Sequence, residues 1–156
     1  MFRKAFVGSG RHAIIPGIPD YRAIEQTLIR YALACDTRNW ALLDEVFTTD
    51  ITAIYGGEYR LQGRHNLTGM IRSLLDGCGP TQHLLGNFRI AIEGNTAQCA
   101  CYVRAAHAGR DDKASLTYEV WAEYRDKLLL TAEGWRISER RMVVFNETGT
   151  REVLKG

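Results

Sequence analysis

The chain has no cysteine spacing that makes a site. Its four cysteines, Cys35, Cys78, Cys99 and Cys101, form neither a CxxC pair nor any zinc pattern, so they read as reduced side chains packed as small hydrophobes. No HExxH or comparable histidine–acid spacing occurs, so neither a metal nor any other cofactor is expected. There is little excess charge. At a formal +2 with the basic residues dispersed, the chain lacks the field that would favour nucleic acid or an anionic membrane. No apolar run approaches the roughly 18 residues of a membrane span. No secretory core is visible either, which fits a reducing, cytoplasmic setting. Internal repeats and low-complexity segments are also missing. What remains is 156 residues, 46% hydrophobic and 24% charged. That is ordinary globular composition, long enough for one domain with a real core.

The order of periodicities sets the organisation. Residues 1–19 hold Gly8, Gly10, Pro16, Gly17 and Pro19, with Arg3, Lys4 and Arg11 and no acid. They read as an N-terminal arm with a faint likeness to a transit peptide. Asp20 is placed to cap a helix. Ile24, Leu28, Tyr31, Ala32 and Cys35 then form one apolar stripe, which Asp36 closes. Thr37 or Asn39 can cap a second short helix through Trp40, Leu43, Val46 and Phe47. Residues 51–55 turn β-rich, Gly56-Gly57 is a turn, and Tyr59-Arg60-Leu61 returns. A third helix is expected from His65 to Leu75, stopped by Gly77, Gly79 and Pro80. Long strands follow over 88–92, 97–107, 116–130 and 135–145. Helices first and a meander after predict an α+β fold. In it, three N-terminal helices pack on a strongly curved, mostly antiparallel sheet, a cone-shaped barrel enclosing a cavity. The domain is expected to span 20–150, with 151–156 as a C-terminal tail.

Several stretches taken in order resemble the nuclear transport factor-2-like superfamily, in its SnoaL-like branch. They are Tyr31-Ala32-Leu33-Ala34-Cys35-Asp36 followed by Trp40; Thr81-Gln82-His83 before Gly86-Asn87; Tyr124 to Leu128; and Gly134-Trp135-Arg136-Ile137 with Arg140 beyond. The likeness covers roughly residues 20–146. The Asp36 and His83 positions are similar to the dyad of scytalone dehydratase, bile-acid 7α-dehydratase and hexachlorocyclohexane dehydrochlorinase. The resemblance implies Tyr31 as a further catalytic residue, Tyr55 as a second tyrosine, and Arg140 as the arginine that serves the dehydrochlorinase site. Tyr55, Arg140, Trp40 and Tyr118 are the expected substrate contacts. Scytalone dehydratase has a second histidine on its sheet; His107 lies late for that role, near a loop, and is not carried over. The superfamily also implies a homo-oligomer, dimer or trimer, with Trp121 and Arg104 candidates for its outer sheet face.

The chemistry follows from residue type. A histidine titrates near working pH and suits a general base. A carboxylate on its far nitrogen fixes the tautomer and stabilises the imidazolium. The expected activity is cofactor-independent removal of a proton from a small hydrophobic substrate, cyclic or polyketide- or steroid-like, followed by elimination, as in a dehydratase, or by isomerisation. A polyketide cyclase or epoxide hydrolase is the alternative, the latter pairing Asp36 with Glu119, Glu123 or Asp126. A non-catalytic binding or interaction subunit is the third reading. Two geometric conditions stand in the way. Five residues place Tyr31 about 140° from Asp36 around a straight helix. Strand alternation from Phe88, Ile90 and Ile92 turns His83 outward unless the backbone bulges near Gly86.

Overall fold

The computed structural model describes residues 18–154. The expected arm, residues 1–19, lies almost wholly outside them. Helix α1 runs Ile18–Thr37 and begins two residues before Asp20, which is therefore not its cap. The Asp20 carboxylate instead accepts the Trp135 indole N–H at 3.3 Å. The stripe read from the sequence is the buried side of α1: Ile24, Leu28, Tyr31, Ala32 and Cys35 are all under a tenth exposed. The second short helix is a 3-10 segment, Trp40–Glu45, and the third, α2, spans Arg64–Leu75 and buries Leu67, Ile71 and Leu75.

The sheet comprises β1 (Phe47–Tyr55), β2 (Arg60–Gln62), β3 (Thr81–Glu93), β4 (Thr96–Ala108), β5 (Thr117–Thr131) and β6 (Gly134–Gly149). Their spatial order is β2-β1-β6-β5-β4-β3. All neighbours are antiparallel except β1 and β6, which run parallel. The pleat shifts within β1–β6, β3–β4 and twice along β5–β6. Such bulges bend and twist a long sheet into a concave surface, and the helices lie in that concavity. Alternation along β4 is regular, with Ala97, Cys99, Cys101, Val103, Ala105 and His107 facing in. All four cysteines are free and buried, and burial pushes the Cys35 and Cys101 thiols up to about 12.

The end of the chain departs from the expected tail. Residues Arg151–Leu154 form a 3-10 turn whose Val153 is fully buried, and the Val153 carbonyl accepts the Cys78 thiol at 3.3 Å. Gly149 makes the entry possible. Its φ is +80°, and a Cβ there would lie 2.0 Å from the Thr117 carbonyl oxygen, so a larger residue cannot lie against β5. The described domain thus continues to Leu154.

Candidate active site

Asp36 sits one residue before the end of α1, where the helix dipole disfavours a negative charge. Three donors answer that cost. The His83 backbone N–H reaches one carboxylate oxygen at 2.9 Å, and the Thr81 hydroxyl donates to the other at 3.1 Å. That second oxygen also faces His83 Nδ1 at 2.7 Å. Burial pushes the Asp36 carboxyl up, but the ring, amide and hydroxyl donors together hold it below the usual carboxylate range. An ionised Asp36 can only accept a hydrogen bond, so Nδ1 carries the hydrogen toward the acid and Nε2 keeps the remaining lone pair. The His83 side chain is only 5% exposed.

The backbone delivers His83 to the inside by an irregularity in β3. Gly86 pairs with Tyr102 and Arg89 with Ala100, so β3 spends one residue more than β4 across this step. Asn87 takes the left-handed conformation, φ +52°. Before the bulge His83 and Leu85 face inward; after it Phe88, Ile90 and Ile92 do.

His83 opens onto a cavity of about 170 Å³ between α2, the sheet and the C-terminal turn. Its apolar wall includes Met70, Ile71, Leu74, Val120, Met142 and Val144, and its polar groups come from Tyr31, Tyr55, His83, His107, Tyr118 and Glu147. Asp36 is not on the wall. It stands behind His83 while Tyr31 faces the cavity, with the Tyr31 and His83 rings edge to face at 6.3 Å. The angle between Tyr31 and Asp36 on α1 is therefore no obstacle, because the two flank His83 from different sides. A larger depression of about 570 Å³ lies elsewhere, on the exposed side of the sheet among Arg60, Arg89, Arg125, Lys127 and Arg141. It is the hollow of a twisted sheet with surface cations, and the dyad does not face it.

Of the expected substrate contacts, Tyr55 and Tyr118 line the cavity. Tyr55 donates to the Tyr31 hydroxyl at 3.1 Å. Burial pushes the hydroxyls of Tyr31, Tyr55 and Tyr124 up, which keeps them protonated donors. Trp40 is not on the wall; its indole N–H donates to Asp76 at 3.0 Å, near the surface. Arg140 does turn inward while Arg141 is exposed, yet it is not on the wall of this cavity. Its side chain is fully buried and paired with Asp126 at 2.7 and 2.8 Å. Burial opposes its charge, and Asp126 with the neighbouring tyrosines restores it. Its guanidinium lies 4.3 Å over the Tyr31 ring and 4.1 Å over Tyr124, and one N–H points at the Tyr55 hydroxyl at 3.4 Å. The acids suggested as partners for Asp36 are engaged elsewhere. Glu119 pairs with Arg104, Glu123 with Arg89 and Arg125, and Asp126 with Arg140.

His107, set aside from the sequence as too late, lies across from the dyad. Its ring is 5.7 Å from that of His83 and it is 5% exposed. Burial and the neighbouring His83 push its pKa down to about 4. Its Nδ1 is 3.1 Å from the Tyr118 carbonyl oxygen, so the neutral ring donates there and keeps Nε2 as an acceptor. The missed signal was the hairpin. Thr81 pairs with His107 and His83 with Ala105, so counting back from the Gly94-Asn95 turn brings the end of β4 to the start of β3. His107 also shares inward parity with Cys99, Cys101, Val103 and Ala105. Beyond it the Tyr118 hydroxyl donates to Glu147, which Arg151 also engages.

Helices packed within a bulged, six-stranded sheet, with Asp36 and His83 paired beside a cavity, are the features with which the chain meets its relatives. The chain belongs to the SnoaL-like domain family, whose model matches residues 17–141. An uncharacterized protein of Mycobacterium tuberculosis is 32% identical over 126 residues, covering 79% of this chain and 84% of the relative. Among solved structures, a proposed aromatic ring hydroxylase from Novosphingobium aromaticivorans aligns with a TM-score of 0.80 at 25% identity, covering 90% of this chain and 100% of that one. A proposed scytalone dehydratase from the same species aligns at 0.78 and 19% identity, covering 85% and 89%. The hexachlorocyclohexane dehydrochlorinase LinA-type3 of Novosphingobium barchaimii aligns at 0.73 and 12%, covering 85% and 91%. The last two likenesses establish the fold, the nuclear transport factor-2-like cone.

Proposed function

We propose that the protein is a cofactor-independent lyase of the dehydratase type, acting on a small single-ring substrate. The observation that carries this reading is the 2.7 Å Asp36–His83 contact behind a ring that opens on an apolar cavity. His83 Nε2 takes the proton from the carbon beside a carbonyl or on an activated ring. Its electron pair forms the new double bond as the carbon–oxygen bond of a neighbouring hydroxyl breaks. The imidazolium returns its proton to the departing hydroxyl, which leaves as water, so the dyad ends as it began. Tyr31, whose hydroxyl accepts from Tyr55, donates its own hydrogen to the oxygen that gains charge, and His107 Nε2 accepts from the substrate hydroxyl.

Cavity volume favours a small substrate. Apolar cavities of about 150 Å³ hold one benzene ring, so about 170 Å³ suits a monocyclic compound. The probe is a cyclic β-hydroxyketone of one ring in deuterated water. NMR follows exchange of its acidic hydrogen, and ultraviolet absorbance follows the conjugated product. His83→Ala is expected to abolish both, a loss of at least roughly 10²–10⁴-fold, while its circular dichroism and unfolding midpoint stay close to the parent's. Undiminished exchange in the variant would remove His83 as the base.

A further inference from the structure

Arg38 follows the last residue of α1 in the left-handed region, φ +58°. For a residue with a Cβ this costs about 1–3 kcal/mol, and it persists only where surroundings impose it. Here it turns the side chain back beneath the helix end, where the guanidinium donates to four acceptors. Nε reaches the Leu75 carbonyl at 3.0 Å and Nη2 the Gly79 carbonyl at 2.9 Å; Nη1 reaches the Cys35 carbonyl and, at 2.8 Å, the Thr81 hydroxyl. These acceptors lie at the end of α1, the end of α2, the turn before β3, and the first residue of β3. Gly79 is wedged in that turn, since a Cβ there would lie 2.7 Å from the Gly109 carbonyl oxygen.

One of the four bonds differs in kind from the others. A guanidinium only donates, so the Thr81 oxygen must accept from it, and the Thr81 hydrogen is directed elsewhere. It goes to the Asp36 oxygen that also faces His83 Nδ1. We propose that Arg38 is a positioning residue for the Asp36–His83 pair, acting through the Thr81 hydroxyl. The inference rests on reading that pair as the working dyad. Without Arg38 the Thr81 hydroxyl can rotate away. The Asp36 carboxylate, 23% exposed and at the unfavourable end of a helix dipole, can then turn toward water, and the ring loses the partner that selects its tautomer.

A role as a mere clasp between α1, α2 and β3 predicts something else: lost stability with the dyad unchanged. The two are separated by ¹⁵N spectra of the histidine rings in the full chain near pH 8, which report tautomers with no substrate present. The parent is expected to show His83 as the Nδ1–H form, where an unconstrained neutral histidine favours Nε2–H. Arg38→Met and Thr81→Val should both move His83 toward Nε2–H, and Thr81→Ser should retain the parent spectrum. With turnover of the cyclic β-hydroxyketone in hand, both disruptive variants should lose roughly 10- to 100-fold in kcat, as misplaced groups do, with KM within about twofold. Thr81→Val keeps the backbone and most of the side-chain volume, so it decides the matter even if Arg38→Met fails to fold. Retention of Nδ1–H in Thr81→Val, or in a folded Arg38→Met, overturns the proposal. A parent with Nδ1–H at His83 but no exchange on any probe would instead count against the lyase reading and leave the positioning intact.

Discussion

His107 carries a pH signature that no other side chain in the cavity shares. Its folded pKa is pushed down to about 4, against roughly 6.5 in an unfolded chain. Between those values the unfolded state holds the extra proton, so stability rises with pH. The neutral ring therefore imposes no penalty above about pH 6.5. Its cost grows as pH falls toward 4, reaching on the order of 3 kcal/mol from the size of the shift. His107→Gln keeps a polar side chain and removes the titration. Urea midpoints at pH 7.5 and pH 4.5 should lie farther apart in the parent than in the variant. An equal separation in both proteins would mean that His107 is charged, or solvated, in the folded state. The same neutrality matters for chemistry. A charged His107 beside His83 would oppose the imidazolium that the proposed proton abstraction creates.

At the level of the strand, everything depends on one surplus residue in β3. Asn87, with φ +52°, absorbs the bulge, whereas Gly86 has an ordinary φ and open space where a Cβ would go. Asn87→Gly should be neutral or mildly stabilising, and Gly86→Ala tolerated. Asn87→Val should cost about 1–2 kcal/mol, the penalty of a branched residue in the left-handed region, read as a lowered urea midpoint with unchanged slope. A fully stable Asn87→Val would show that the strand can carry its bulge elsewhere. The sequence supports half of this argument. Phe88, Ile90 and Ile92 mark one parity and the expected inward His83 marks the other, so a bulge near Gly86 was required. Which residue bears it was not legible from glycine's permissiveness, because asparagine also visits that region. The helical stripe from Ile24 to Cys35 read cleanly because one face of α1 meets a continuous core. The 3-10 turn at 151–154 did not, since its burial depends on Gly149 meeting a carbonyl of β5 that lies far away in sequence.

The molecule as a whole is joined by the buried charge of Arg140, which the sequence reading expected as a substrate contact and which the structure pairs with Asp126. Arg140 on β6 pairs with Asp126 on β5, lies over Tyr31 on α1 and Tyr124 on β5, and donates toward Tyr55 on β1. The parallel contact of β1 with β6 makes this convergence possible, and it joins segments separated by most of the chain. No local periodicity announces such a pairing. Alternation did single out one of Arg140 and Arg141 as inward, but an inward arginine near a predicted site is easily taken for a substrate ligand. Its position beneath the tyrosines makes it the support on which the cavity floor rests. Removing one partner leaves the other buried without compensation, which costs about 3–5 kcal/mol, whereas replacing both by apolar groups of similar volume can be nearly neutral. Arg140→Met and Asp126→Leu should each lower stability by that amount in urea. The double variant should lose clearly less than the sum of the two. Additive losses would mean that the pair contributes no coupling, and that the tyrosine hydroxyls hold their places by packing alone. If the coupling is present, the double variant should still be impaired toward the cyclic β-hydroxyketone. Tyr55 and Tyr31 would keep their rings in place but lose the cation that orients their hydroxyls.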